Sequence, residues 1–375
     1  MENTTPPADE RPLVLLGQPL FPEFAAALAG RFRFVLVADA DAATVAEGRA
    51  LLIGLNPVTD DHLAALPALR LVAGISPVVL LADPIIPEFE LELSARYSLL
   101  PLADVDADTA ASARVLLTVE LPAVTAELMG ALPKLELVLA SSVGVDHVDL
   151  AACRRRGIAV TNAGGAFSDD AADYAVGLLI AALRRVAAAD AYFRRGSWPA
   201  GGEYPLVSKV SGKRVGILGL GNIGSRIARR LAAFGCAVSY NSRSPKPSAR
   251  YEFVPTVREL AAGSNVLVLS CALTEETKHV VNREDGVLVN VGRGGLVDEP
   301  ELVRCLQEGV IGGAGLDVFE SEPNVPPELF SMDNVVLSAH RAVATPESIR
   351  GTIELVAGNL DAFFAGKPLL SPVQL

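Results

Sequence analysis

Three stretches of this 375-residue chain end in side chains able to handle a charged carbonyl compound. Residues 286–302, GVLVNVGRGGLVDEPEL, read as a buried strand over 287–291 that runs into Gly292, Arg293 and Gly294. Residues 312–323, GGAGLDVFESEP, read as a second strand, carrying Asp317 and ending near Glu322. Residues 334–348, NVVLSAHRAVATPES, contain a third that ends at His340. Arginine forms two-pronged bonds to carboxylates. Histidine donates a proton near neutral pH, and a carboxylate beside it would favour the imidazolium and orient the ring. A cation for a carboxylate and a proton donor for a carbonyl oxygen are two of the three needs of 2-keto acid reduction. The third is a source of hydride.

That source has a place upstream. Residues 211–235, SGKRVGILGLGNIGSRIARRLAAFG, give a short apolar strand over 214–218, then the glycine turn from Gly219 to Gly224, then a helix over 225–234. A dinucleotide site needs this order of elements. Gly219 permits the tight turn, Gly221 lets the backbone approach a pyrophosphate, and Gly224 lets helix pack on strand, with phosphates at the helix N-terminus. The following strand, CAVSYNSRS, ends without a carboxylate where NAD sites usually place one for the ribose 2′-hydroxyl. Arg243 can pair with a 2′-phosphate, and Ser242 and Ser244 can hydrogen-bond to it. The expected cofactor is therefore NADP, with NADPH preferred over NADH.

The elements that must position these groups follow from composition and pattern. Half of the residues are hydrophobic, mostly Ala, Leu and Val, which suits an α/β protein. A net charge of −12 argues against nucleic acid and anionic membrane surfaces as partners. Four scattered cysteines without a CxxC pair read as free thiols, and four unclustered histidines give no expected metal site. No apolar run approaches the ~20 residues of a membrane-spanning helix. The polar first twelve residues resemble neither a secretory nor an organellar leader, so a cytoplasmic location is expected.

The front of the chain is duplicated. PLVLLGQPLFPEF (12–24) matches PVVLLADPIIPEF (77–89) at an offset of 65. ALLIGLNPVTDDHLAALPALRLV (50–72) matches residues 115–138, with one inserted residue moving the offset to 66. Each copy alternates strand and helix, the pattern of a parallel sheet flanked by helices. Only the second copy continues into the rest of the chain.

With these motifs in hand the chain resembles the D-isomer-specific 2-hydroxyacid dehydrogenases, and within them most closely the plant glyoxylate/hydroxypyruvate and hydroxyphenylpyruvate reductases. SSVGVDHVDL, FSDDAADYAVGLLIAALRR, GKRVGILGLGNIGSRIA, YNSRS, LVNVGRGGLVDEPEL, GGAGLDVFESEP and NVVLSAHRAV carry the resemblance, which spans nearly everything from Pro77 onward. It implies two Rossmann-like domains with parallel sheets. A lid formed by 77–167 and 343–375 would close on a cofactor domain of 168–342, with 12–76 as an extra copy of the lid module.

The resemblance also implies roles. Arg293 would bind the substrate carboxylate and carbonyl, His340 would donate the proton, and Glu322 would pair with it. Asp317 and the backbone of Val291 and Gly292 would meet the nicotinamide end of the cofactor. Leu220, Gly221, Asn222 and Ile223 would line the pyrophosphate, and Ser242, Arg243 and Ser244 the 2′-phosphate. Backbone N–H groups of the loop Thr118-Val119-Glu120-Leu121 would hold the substrate carboxylate. The helix over 169–189 would supply a homodimer interface. In one departure, the helix expected between Glu284 and the next strand is missing, which should expose sheet surface and weaken the fold. The alternative reading is a degraded paralogue that binds dinucleotide without efficient turnover.

Overall fold

The apolar runs of the sequence pair as three separate sheets in which every strand is parallel to its neighbours. The computed structural model describes residues 13–16, 33–36, 50–52, 71–73, 77–281 and 286–375. The first sheet contains β1 (Leu13–Leu16), β2 (Arg33–Leu36), β3 (Ala50–Leu52) and β4 (Leu71–Ala73), in the order β2-β1-β3-β4. The second contains β5 (Val78–Leu81), β6 (Ser98–Pro101), β7 (Val115–Thr118), β8 (Leu137–Ala140) and β9 (Ala159–Thr161), in the order β6-β5-β7-β8-β9. The registers repeat with the sequence. Leu13 faces Arg33 as Val78 faces Ser98, and Leu15 faces Leu51 as Leu80 faces Leu116. Ala50 opposite Leu71 corresponds to Val115 opposite Leu137, where the offset has grown by one.

The third sheet has seven strands: β10 (Arg214–Leu218), β11 (Ala237–Asn241), β12 (Glu252–Phe253), β13 (Val266–Leu269), β14 (Gly286–Asn290), β15 (Ile311–Leu316) and β16 (Val335–Leu337). Their order is β12-β11-β10-β13-β14-β15-β16. The chain winds outward from β10 in one direction, then restarts beside it at β13 and winds the other way. A crevice opens at such a reversal, beyond the carboxyl ends of the strands. Strands buried on both faces need helices on both sides, which explains their near-continuous apolar character.

The helix Ser168–Arg184 lies across one face of this sheet and buries Ala172, Ala175, Leu178 and Leu179. Small residues on β15 admit it: a Cβ on Gly315 would stand 3.0 Å from that of Leu178. The single helix expected over 169–189 is broken. Arg185 adopts a left-handed conformation, φ 49°, and a second helix runs Val186–Arg194. After His340 the chain returns to the second sheet, where Ile353, Val356, Ala357 and Leu360 of the helix Pro346–Phe364 pack against Val79, Leu81 and Leu137. Thr345 caps that helix by accepting from Ser348 N–H (3.1 Å) and donates to Asp170 (2.6 Å), fastening the crossing to the long helix.

The sheet surface expected to lie bare beside the missing helix is covered. Leu267, Leu269 and Leu288 are buried, in one cluster with Val281, Leu296, Val297, Leu302 and Leu306. Val281 bridges to Val297, and the helix Glu299–Gln307 closes the same face, so the shortened crossover leaves these side chains out of water. Residues 282–285 lie outside the described residues.

Among the described residues, strands of the first sheet pair only with one another. A chain beginning at Pro77 should therefore keep the main cooperative thermal transition of the full protein, measured by calorimetry. Loss of that transition would show that the first copy supports the other two sheets.

Candidate active site

The glycine turn after β10 is shaped by contacts that exclude side chains. Gly219 has φ 97°, and a Cβ there would meet the backbone of Cys271 at 2.7 Å. One on Gly224 would fall 2.0 Å from the carbonyl oxygen of Gly219. At Gly221 an added Cβ meets nothing within 4 Å, so open space lies over the middle of the turn. The helix that follows spans Asn222–Ala233 and starts three residues earlier than the sequence suggests, inside the turn itself. Leu220 is buried, in the core cluster that contains Ile217, Ile227 and Val268. Among the described residues, the N–H groups of Asn222, Ile223 and Gly224 have no intramolecular hydrogen bond. Open donors at a helix N-terminus below free space fit a pyrophosphate.

At the end of β11, Asn241 turns its amide back to the carbonyls of Val254 (2.8 Å) and Pro255 (3.0 Å). Ser242 donates to the carbonyl of Ser244 (2.8 Å). Arg243 is exposed and makes no ion pair among the described residues. Lys246, which sequence reasoning passed over, is exposed in the same loop and adds a second positive charge.

Arg293, Glu322 and His340 come together in a cleft of about 590 Å³ between the second and third sheets. Ile223, Val291, Gly292 and Asp317 line it from one side, and Val119, Glu120, Leu121 and Gly144 from the other. Thr118 does not line it. It ends β7 almost fully buried, its hydroxyl without a partner. Val119 and Glu120 N–H groups both donate to the carboxylate of Asp83, so two of the expected substrate donors are already engaged.

Arg293 is set by three residues that sequence reasoning did not assign to it. Asn290, buried at the end of β14, donates to the carbonyl of Arg293 (2.9 Å) and accepts from Gly292 N–H (3.0 Å), which clamps the turn. Asp146 accepts from Arg293 Nε at 3.1 Å. Gly144 leaves room for the guanidinium, because a Cβ there would lie 2.0 Å from Nη2. Gly144 and Asp146 sit in SSVGVDHVDL, whose glycine and acid were the available signal.

His340 donates from Nδ1 to Glu322 Oε2 (2.9 Å), which leaves Nε2 for the cleft. Glu322 Oε1 also accepts from Phe319 N–H (2.9 Å). Burial alone pushes the Glu322 carboxyl up. Hydrogen bonds from His340 and Phe319, with the charges of His340 and Arg293, outweigh it and hold the group below its ordinary 4.5. His340 has φ 50°, a conformation that costs a residue with a Cβ about 1–2 kcal/mol. Asp317 holds it there: its carbonyl accepts from His340 N–H (2.7 Å), and its buried carboxylate accepts from Ser338 Oγ (2.6 Å), Arg341 N–H (2.8 Å) and Ala342 N–H (3.0 Å).

Two outcomes follow. Gly144→Ala should displace the Arg293 guanidinium and lower kcat/KM on the order of a hundredfold while leaving the fold intact, as steady-state kinetics and circular dichroism would show. Because the folded Glu322 carboxyl titrates low, its bond to His340 is whole above pH 4.5 and fades as pH falls through the depressed value. Urea unfolding across that acidic window should show a loss of stability that Glu322→Gln reduces. An unchanged acid dependence in the variant would contradict the pairing.

Residues 176–342 match the NAD binding domain of the D-isomer specific 2-hydroxyacid dehydrogenases. A glyoxylate/hydroxypyruvate reductase of Arabidopsis thaliana is 61% identical over 259 residues, 67% of this chain and 80% of that protein. A hydroxyphenylpyruvate reductase of Plectranthus scutellarioides is 53% identical over 255 residues, 66% of this chain and 81% of its own. The solved structure of an NADPH-dependent glyoxylate/hydroxypyruvate reductase from Sinorhizobium meliloti, in complex with NADP and malonate, superposes with a TM-score of 0.75. It is 37% identical, over 80% of this chain and 97% of that one. A nicotinamide-dinucleotide cleft that unites arginine, glutamate and histidine, in a chain this similar, places the protein in the D-isomer-specific 2-hydroxyacid dehydrogenase family.

Proposed function

We propose that this protein reduces small 2-keto acids, of the glyoxylate, hydroxypyruvate or hydroxyphenylpyruvate type, to D-2-hydroxy acids, using NADPH in preference to NADH. The observation that carries the reading is the meeting of Arg293, Glu322 and His340 beside the glycine turn. The retained Glu322–His340 bond and the buried sheet next to the shortened crossover weigh against a binding-only paralogue.

The bound nicotinamide supplies the hydride. The protein's own groups do the rest. Arg293 keeps Nη2 free of protein acceptors among the described residues, and that edge suits the substrate carboxylate and carbonyl. Asp146 fixes the guanidinium's direction, and Asn290 fixes the backbone that carries it, before substrate arrives. His340, anchored through Nδ1, delivers a proton from Nε2 to the carbonyl oxygen as it gains negative charge. Asp317 commits its carboxylate to the His340 loop and lines the cleft, so it serves the nicotinamide end by shaping the site.

In this reading residues 168–342 hold the dinucleotide, and 77–167 with 343–375 form the lid. Residues 12–76 repeat the sequence pattern of the lid module. Closure of the lid would exclude water before hydride transfer. A homodimer is supported by exposed apolar side chains after the long helix, Val186, Phe193, Trp198 and Leu206. Four free thiols fit a reducing cytoplasm. No described helix is long and apolar enough to cross a membrane.

The test is NADPH oxidation with glyoxylate, hydroxypyruvate and hydroxyphenylpyruvate as separate substrates, repeated with NADH. Turnover of at least one is expected, and His340→Ala should lose about a hundredfold or more in kcat. Arg243→Ala should raise the KM for NADPH by roughly ten- to a hundredfold and leave NADH unaffected. Activity on none of the three acids, or a preference for NADH, would overturn the corresponding part.

A further inference from the structure

The wall of the cleft contributed by β7 is held from behind. Asp83, two residues past the end of β5, accepts from Val119 N–H at 2.9 and 3.2 Å and from Glu120 N–H. Asp83 itself does not line the cleft. The next residue of the loop, Leu121, does line it, and has φ 66°. A leucine in that left-handed region is strained, so something must hold it there.

The internal repeat offers a comparison within the same chain. At the offset of 65, Gln18 stands for Asp83, Gly54 for Val119 and Asn56 for Leu121. Glycine and asparagine enter the left-handed region readily, and leucine does not. The copy with the strained, bulky loop is thus the one with a carboxylate behind it. The copy without the carboxylate has residues that need no such support.

We propose that Asp83 is a positioning residue for substrate selection. Its carboxylate fixes the Val119–Glu120 backbone, so that Leu121 stands as an apolar wall beside the reacting groups. The substrate carboxylate then falls to Arg293 and to N–H groups other than those of Val119 and Glu120. Leu121, Val143 and Gly144 lie on segments lining the cleft, and their N–H groups have no hydrogen bond among the described residues. This inference rests on the keto-acid reading given above.

The experiment compares Asp83→Ala and Asp83→Asn in the full chain by two measurements. In steady-state kinetics, Asp83→Ala should raise the KM for hydroxypyruvate by about tenfold or more, with kcat and the KM for NADPH near wild type. Asp83→Asn, whose amide oxygen still accepts, should recover much of that loss. In hydrogen exchange followed by mass spectrometry, the peptide containing Val119 and Glu120 should exchange faster in Asp83→Ala and intermediately in Asp83→Asn. Unchanged exchange, or a KM that falls when the carboxylate is removed, would overturn the proposal. The exchange measurement needs no turnover, so it decides the latch even if no keto acid is reduced. If Asp83→Ala fails to fold, Asp83→Asn against wild type carries both measurements. Adding Leu121→Asn to the Asp83 variant should shrink the KM penalty, because asparagine holds the loop without the latch; an undiminished penalty would also contradict it.

Discussion

The buried carboxylate of Asp317 is the constraint on which the site depends. Three donors from the segment after β16, Ser338 Oγ and the N–H groups of Arg341 and Ala342, converge on it. A carboxylate removed from water needs such partners, and they in turn need it. The result is a loop held tightly on both sides of His340, which sits in a backbone conformation it would not choose alone. In that conformation Nδ1 meets Glu322 and Nε2 is left for the cleft. Strain at a functional residue survives when its surroundings over-determine it, as they do here.

The parallel sheet supplies the rest. β10, β14 and β15 are neighbours or near neighbours in one sheet, so the segments beyond their carboxyl ends fall at one edge. The glycine turn follows β10, Arg293 follows β14, and Asp317 follows β15. Groups far apart in sequence thus meet without any long-range feature beyond strand pairing. Segments following strands of the second sheet bring what the third cannot: Gly144 makes space for the guanidinium, Asp146 aims it, and Val119 to Leu121 close the opposite wall.

Much of this was legible in the sequence because local chemistry demanded it. Gly219 and Gly224 could be read because no other residue fits those contacts, and Arg293, Glu322 and His340 because each follows a strand. The repeat was legible too, and its equal registers in the first two sheets follow from the same apolar spacing. Asn290 and Asp83 were not legible. Each ends or follows a strand like any polar residue, and its role exists only once another segment packs against it. The break at Arg185 carries no glycine or proline to announce it. The covered sheet beside the shortened crossover was misjudged because Val281 and the helix Glu299–Gln307, distant in the pattern, close that face.

The central claim is that Arg293 and His340 act on one small molecule from opposite ends. A crystal structure of the protein with NADP and oxamate, a non-reducible keto-acid analogue, tests this most directly. The account predicts the oxamate carboxylate on the Arg293 guanidinium and its amide oxygen within hydrogen-bond reach of His340 Nε2, with the nicotinamide alongside. Oxamate bound away from both residues, or His340 turned out of the cleft with its bond to Glu322 broken, would contradict it.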